Sequence, residues 1–373
     1  MTVRRVLAGI LALGASLPAA AAAQTPSHWG TYIGGSSPFT EVSPFPFTEL
    51  GETVAVQASN SSSYALEANG TVFAWGDGNR GQLGNGAFKD SPETAVQVQL
   101  PVGVKAVALG EAKNEAAAVD SSGHVFVWGG NAGSALCVRG AAIGTPVKVP
   151  GLSGVVAASG GNEHMMFLTG EGTVLVCGSN AVGALGVGER VLDEPTPTLV
   201  PGLTHIVQIS SGAGYSAARN SSGEIFMWGK NEHSHIGIGS SEPVIWTPVH
   251  VVLPEPAISV SAGGDNNNGA TLALTASNAV YSWGDGAEGV MGNGSNEEQP
   301  LPINTGLHFA QIATGGEDSF GITSSGELFA WGWNIGGDLG IGMGGGAAKS
   351  PVFVASGVSS ISATAETSIS LSR

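Results

Sequence analysis

Short apolar runs recur along the chain, each entered through glycine and closed by Trp-Gly: Gly70-Thr71-Val72-Phe73-Ala74-Trp75, Gly123-His124-Val125-Phe126-Val127-Trp128, Gly223-Glu224-Ile225-Phe226-Met227-Trp228 and Gly326-Glu327-Leu328-Phe329-Ala330-Trp331. They are too short for helices, rich in β-branched and aromatic residues, and apolar at consecutive positions, so they predict strands covered on both faces. A second apolar segment precedes each glycine, as in Tyr64-Ala65-Leu66, Met166-Phe167-Leu168 and Thr271-Leu272-Ala273-Leu274. Asn69-Gly70 supplies the positive φ angles of a tight hairpin turn, and Asn220-Ser221-Ser222-Gly223 suits a longer one. Each unit thus predicts a hairpin. A glycine-rich turn follows it, as in Gly81-Gln82-Leu83-Gly84-Asn85-Gly86 and Gly337-Asp338-Leu339-Gly340-Ile341-Gly342. A Pro- and Val-rich stretch such as Pro146-Val147-Lys148-Val149 then supplies a further strand.

The Trp-Gly pairs at Trp75, Trp128, Trp228, Trp283 and Trp331, with Cys177-Gly178 in the place of a sixth, lie 48 to 55 residues apart. Several short strands in a unit of about fifty residues match a propeller blade. Trp29-Gly30 has no hairpin before it, whereas the segments around Ile361 and Thr367 to Leu371 form a hairpin half with no Trp-Gly after it. Joined through the ends, the two halves complete a seventh unit. An open solenoid would instead need polar caps at both ends. The pattern therefore predicts an all-β, seven-bladed β-propeller over residues 24–373, with a closing blade split between the N- and C-terminal strands.

The sequence Gly-x-Val/Ile-Phe-x-Trp-Gly followed by Gly-x-Leu-Gly-x-Gly, best kept in residues 70–86 and 326–342, resembles the regulator of chromosome condensation repeat family over nearly the whole chain beyond residue 23. The resemblance implies a seven-bladed ring. It leaves the task open, because this family includes a nuclear guanine-nucleotide exchange factor, ubiquitin-ligase propellers, a plant ultraviolet-B photoreceptor and a secreted bacterial inhibitor of β-lactamases. The family's frequent histidine ahead of the second strand is kept at His164, while Ser62, Glu115, Tyr215, Ala270, Asp318 and Glu366 stand at the other positions. No catalytic residue carries over.

Residues 1–23 read as an export signal, with Arg4-Arg5, the apolar run Val6 to Leu17, and Ala21-Ala22-Ala23 ahead of a cleavage site. That disfavours the exchange-factor reading and makes the secreted inhibitor class the nearest analogue, with a secreted, periplasmic or cell-envelope location expected. No later apolar run is long enough for a membrane span. The formal net charge of −16 becomes two units more negative without Arg4 and Arg5, which argues against nucleic acid and for a basic partner. Cys137 and Cys177 could pair after export or remain two buried thiols.

No nucleophile motif, phosphate-cradling loop or metal spacing is present, so neither cofactor nor catalytic residue is expected. His233 and His235 would share one face of an extended strand, and as a lone pair they read as solvated loop residues. Asp265-Asn266-Asn267-Asn268-Gly269 places Ala276 where a calcium loop needs glutamate, so it reads as a polar connection able to touch a partner. Trp246 and Trp333 fall outside the repeat position, in expected connections on the faces of the ring, and are the candidate partner-binding anchors. Glu189, Asp193-Glu194, Glu242 and Glu297-Glu298 follow the glycine-rich turns and are expected to make one face acidic. The expected function is protein or surface-ligand binding through the loops of one face. A carbohydrate-active hydrolase or lyase, from another class, would show paired carboxylates at the channel mouth with raised pKa values.

Overall fold

The computed structural model describes residues 24–32, 39–60, 62–188, 192–264, 268–364 and 367–372. The expected export signal lies outside these residues, as do Asp265, Asn266, Asn267, Glu189 and Glu366. Seven four-stranded antiparallel sheets form the chain. Blades I to VI span 53–97, 106–148, 155–199, 206–251, 257–308 and 311–355, each with its strands in chain order from the channel outward. Blade VII takes its two inner strands from Val358–Ala363 and Thr367–Ser372 and its two outer ones from Thr25–Tyr32 and Phe39–Pro46. Six consecutive pairs, Thr25 with Ser372 through Gly30 with Thr367, close the ring. The architecture is the one predicted, split blade included.

The third strand of each blade is apolar on both faces because a neighbouring sheet covers each; Val125–Gly129 is buried throughout. Trp29, Trp75, Trp128, Trp228, Trp283 and Trp331 are fully buried. Five of them do one job. Their indole N–H groups donate, over 2.8 to 3.1 Å, to backbone carbonyls in the glycine-rich turn of the preceding blade: Gln82 for Trp128, Ala184 for Trp228, His235 for Trp283, Val290 for Trp331 and Asp338 for Trp29. Glycine two residues past each acceptor lets the ring approach. A Cβ at Gly84, Gly186, Gly237, Gly292 or Gly340 would stand 2.5–2.8 Å from the tryptophan, and all five glycines have φ between +62° and +74°.

Between blades II and III this lock has been exchanged for a covalent one. Cys177 occupies the tryptophan position, and Cys137, with φ of 58°, occupies the glycine position of the turn. The two form a disulfide, and the Cys177 sulfur lies 3.4 Å from the Ala135 carbonyl oxygen, the counterpart of those the indoles reach. The seam between blades VII and I differs again. There the Trp75 indole donates to His28 Nδ1 at 2.8 Å, and Phe47 packs 4.4 Å from the Trp75 ring.

A propeller leaves two edges per sheet, and both are blocked here. Every outermost strand contains proline, represented by Pro44, Pro92, Pro146, Pro195, Pro248, Pro300 and Pro351, which removes a donor from the exposed ladder. On the channel side, a serine hydroxyl of one innermost strand accepts from a backbone N–H of the next. Ser159 accepts from Ser211, Ser210 from Ala262, Ser261 from Thr314 and Ser362 from Ala58, at 2.9–3.1 Å.

Candidate functional site

Alternation of strand direction sorts the connections onto two faces. One carries the links between first and second strands and the glycine-rich turns between third and fourth. The other carries the hairpins between second and third strands and the passages from blade to blade. On the first face, Asn131, Asn180, Asn231 and Asn334 fix the turns. Each accepts at 3.1 Å from the N–H of the apolar residue in the middle of the turn (Leu136, Leu185, Ile236, Leu339) and donates to backbone carbonyls of the same loop. The turns are tied across the seams as well. Gly86, Gly188, Gly239, Gly294 and Gly342 donate their N–H to the outermost strand of the next blade at 2.7–3.0 Å. Loops held at both ends in this way present their tips rigidly, which lowers the entropy lost on binding.

Trp246 and Trp333 both stand on this face, but in strands rather than in connections. Trp246 lies in the outermost strand of blade IV (Val244–Val251) and Trp333 ends the third strand of blade VI (Leu328–Trp333). Both are half-buried. Trp246 rests on Gly183 of blade III, where a Cβ would be 3.4 Å from its ring. The exposed apolar side chains beside them were not expected: Leu301, Ile335 and Met343 are 55%, 58% and 63% accessible on blades V and VI. Of the polar segment 265–268, only Asn268 is described; its side-chain amide donates to Glu317 Oε1.

The acidic connections share this face as expected, with Asp193 and Glu194 joined by Glu93, Glu163 and Glu232, and basic side chains are interspersed among them. Glu242, Glu297 and Glu298 are exposed on blades IV and V, yet Arg80, Lys89, Lys113 and Arg139 sit on the corresponding loops of blades I and II. Because the turns repeat in shape and not in charge, their acidity does not follow from that of blades III to V. Glu298 accepts from Ser234 Oγ at 2.5 Å and lies 3.9 Å from His233 Nδ1. His233 and His235 occupy a loop, as expected, with rings 5.8 Å apart, but His235 is buried rather than solvated, because it stacks on Tyr215. Among the described residues no group of three His, Cys, Asp or Glu side chains could hold a metal.

The innermost strands enclose a channel with a cavity of about 390 Å³, lined largely by small, hydroxyl and aliphatic residues. Glu111 supplies the one carboxylate among its described lining residues, accepting from Gln57 Nε2 at 3.2 Å, and Lys113 stands nearby at the mouth. The paired carboxylates that a hydrolase requires are not brought together among these residues.

In blades I to VI the position that the family often fills with histidine is the first residue of the second strand rather than one ahead of it, and it forms a buried layer. Ser62, Glu115, His164, Tyr215, Ala270 and Asp318 each pair with the glycine of the Trp-Gly or Cys-Gly dipeptide. His164 Nε2 meets Ser216 Oγ across the next seam at 3.0 Å, and the Tyr215 hydroxyl donates to the Gly263 carbonyl. Burial pushes the carboxyls of Glu111, Glu115 and Asp338 up to about 8, 7 and 6. Burial, with Asp338 nearby, holds Asp318 well above the carboxylate range. Burial also pushes His28, His164 and His235 down to about 4.

These shifts set the pH dependence of stability. The raised carboxyls stabilise the fold fully below their unfolded pKa and lose that contribution as pH rises through about 6 to 8. The depressed histidines stabilise it fully above 6.5 and lose theirs as pH falls toward 4. Below pH 6.5 the two sets oppose each other; above it the carboxyls act alone. The melting temperature is expected to be nearly level between pH 5 and 6 and to fall from pH 6.5 to 8.5, with Glu115→Gln reducing the fall. A level or rising melt over that upper range would contradict the assignment.

Models of the "Regulator of chromosome condensation (RCC1) repeat" match residues 69–112, 171–219, 222–267 and 277–322, and a second such model matches 54–82 and 206–234. Together they cover more than half of the chain. The human E3 ubiquitin-protein ligase HERC2 is 28% identical over 276 residues, which are 71% of this chain and 6% of that protein, so this chain spans a small part of that relative. The ultraviolet-B receptor UVR8 of Arabidopsis thaliana is 28% identical over 78% of this chain and 67% of its own. The mouse regulator of chromosome condensation is 31% identical over 48% and 43%. Among solved structures, Prp20p from Saccharomyces cerevisiae superposes with a TM-score of 0.81 at 21% identity, covering 95% of this chain and 92% of that one. Human WBSCR16 also gives 0.81, at 20% identity, covering 94% and 99%.

Proposed function

Because the chain belongs to the regulator of chromosome condensation repeat family, in which one ring is found in a ubiquitin ligase, a light receptor and a chromatin regulator, we propose that it is an exported propeller that binds a protein through its glycine-rich-turn face and performs no chemistry of its own. Exposed apolar side chains on one face carry this reading: Leu301 in the outermost strand of blade V and Ile335 and Met343 in the turn of blade VI, with Trp246 and Trp333 on the same face. Aromatic and aliphatic groups of this kind anchor interfaces. Proline in every outermost strand and serine bonds at four seams inside make the sheet edges poor templates for a partner strand.

Export is supported by the disulfide between Cys137 and Cys177, since such bonds persist in oxidising compartments, and by the signal-like residues 1–23. Fractionation of the producing cell with N-terminal sequencing tests this part: the expected product is extracytoplasmic and begins at Gln24. Recovery of the full-length chain from the cytoplasm would overturn it. Binding is tested by affinity capture from the extracytoplasmic fraction. A partner recovered by the native chain is expected to be lost with Trp246→Ala and Trp333→Ala combined, while the melting temperature changes by less than ~3 °C, as for half-buried sites. Undiminished capture by that variant would remove this face from the reading.

A further inference from the structure

The hairpin face, opposite the one just described, carries a repeated irregularity. In six blades the pairing of the first and second strands skips one residue near the start of the innermost strand, between Thr53 and Ala55, Ala106 and Ala108, Val155 and Ala157, Ile206 and Gln208, Ala257 and Ser259, and Val358 and Ser360. A β-bulge bends its strand and re-aims a side chain. In five consecutive blades the bulged residue is β-branched and apolar: Val54, Val107, Val156, Val207 and Ile258. All five lie near the hairpin-face end of their innermost strands, and Val54 and Val207 line the channel cavity. Val54, Val107 and Ile258 are 36%, 51% and 42% accessible, and the other two are half-buried. Val156 packs against the core between blades III and IV, but burial does not account for the exposed Val54, Val107 and Ile258 at the same register.

Carboxylates surround this collar. The hairpins and blade-to-blade passages of this face carry Glu52, Glu67, Asp120, Glu171, Glu224 and Glu255, against the exposed amines of Lys105 and Lys148. The hairpin carboxylates are positioned by their own turns: Glu67 accepts from the Gly51 N–H at 2.7 Å, and Asp120 from the N–H groups of Ser122 and His124 at 2.8 and 2.9 Å. A second concavity, of about 550 Å³, opens on the same face between Asn69–Val72 and the passage from Gln97 to Lys105.

We infer that this face is a second docking surface, whose occupant is a basic protein segment with apolar side chains at its tip. The apolar tip enters the collar of bulged valines and isoleucine, and Lys or Arg side chains on its flanks meet the ring of carboxylates. Charge complementarity selects a cationic partner and speeds its encounter. The collar selects among cationic partners, because a purely hydrophilic one leaves the valines in contact with water. This surface is independent of the glycine-rich-turn face.

The test uses the full chain and two synthetic peptides of equal length and charge, one of lysine and leucine, the other of lysine and serine. Binding is followed by calorimetry at several salt concentrations. The lysine–leucine peptide is expected to bind at least ~10-fold more tightly than the lysine–serine one. Val107→Asp with Ile258→Asp is expected to remove that advantage even though it adds negative charge, which isolates the apolar contact. Both residues are exposed, so the melting temperature serves as the folding control. Glu52→Gln with Glu171→Gln is expected to weaken binding and flatten its salt dependence. Glu297→Gln with Glu298→Gln, on the opposite face, is expected to leave binding unchanged. Equal affinity for the two peptides, or losses confined to the Glu297 and Glu298 pair, would overturn the inference. So would dimerisation of the chain through the collar, seen as a concentration-dependent mass abolished by the two aspartates. Trp246→Ala and Trp333→Ala, expected to be without effect here, keep the outcome separate from that of the other face.

Discussion

Replacing Cys137 and Cys177 together by serine is expected to destabilise the ring by about 4 kcal/mol, or ~5 °C in melting temperature, the effect of opening a loop of this size in a chain of this length. The bond joins residues 40 apart in sequence across the seam of blades II and III. That seam has no indole at the position where the six others place one, so the serine pair would leave it with neither lock. The other seams show how to restore it. Cys137→Gly with Cys177→Trp rebuilds the glycine and tryptophan combination, and this double variant is expected to melt within ~2 °C of the native chain and to be indifferent to dithiothreitol. Cys177→Trp alone is expected to be worse than the serine pair, because at the equivalent seams a Cβ opposite the indole would come within 2.5–2.8 Å of it. Thermal melts of the four proteins with and without reductant decide the matter. A serine pair as stable as the native chain would show that the seam holds without the bond.

Removal of residues 24–46 is expected to have a larger effect, lowering the melting temperature by roughly 10 °C or more and broadening the transition. The deletion takes away Trp29, which is fully buried and packs edge-on against Phe320 at 6.0 Å. Loss of a buried tryptophan alone costs about 3–5 kcal/mol, against a total stability of about 5–15 kcal/mol. It also removes His28 from Trp75 and strips the pairing edge from Thr367–Ser372, so both seams of blade VII fail together. A synthetic peptide of residues 24–46 added in trans is expected to restore part of the loss. An unchanged melt of the truncated chain would mean that six blades hold the ring unaided.

Architecture was legible because it is written in a period. A Trp-Gly every fifty residues, a hairpin ahead of it and a glycine-rich turn behind it repeat often enough for the split blade to be found by closing the count. Cys177 was visible as the missing tryptophan, but its partnership with the glycine position at Cys137 was not, because only the packed seam shows that an indole needs glycine opposite it. Trp246 and Trp333 were recognised as exceptions to the repeat and placed in connections. The ladder extends further toward the turns than the apolar pattern does: pairing resumes beyond the irregularity that holds Trp246, Thr247 and Pro248, at Gly229 with Ile245 and Lys230 with Val244, and it runs on to Trp333 with Ala347. The acidic connections were placed on one face correctly, but the basic side chains that blades I and II add to it were not foreseen, because charge is set blade by blade while the backbone repeats. The carboxylates of the hairpin face went unread because they fall singly in separate turns and passages, and only the ring brings them onto one face. The signal for the bulged collar was present in Val54, Val107, Val156, Val207 and Ile258, each at a similar distance ahead of a second strand, but the missing pairing partner exists only in the register.

Blade VII also imposes a timetable. The strand Thr25–Tyr32 leaves the ribosome more than three hundred residues before Thr367–Ser372, its partner. At about 5–20 residues per second, tens of seconds pass in which blades I to VI can form but the circle cannot. Contacts of such sequence separation are also the slowest to find each other in a refolding chain. The ring therefore stays open, with one edge of Thr25–Tyr32 waiting, until Thr367–Ser372 has been made.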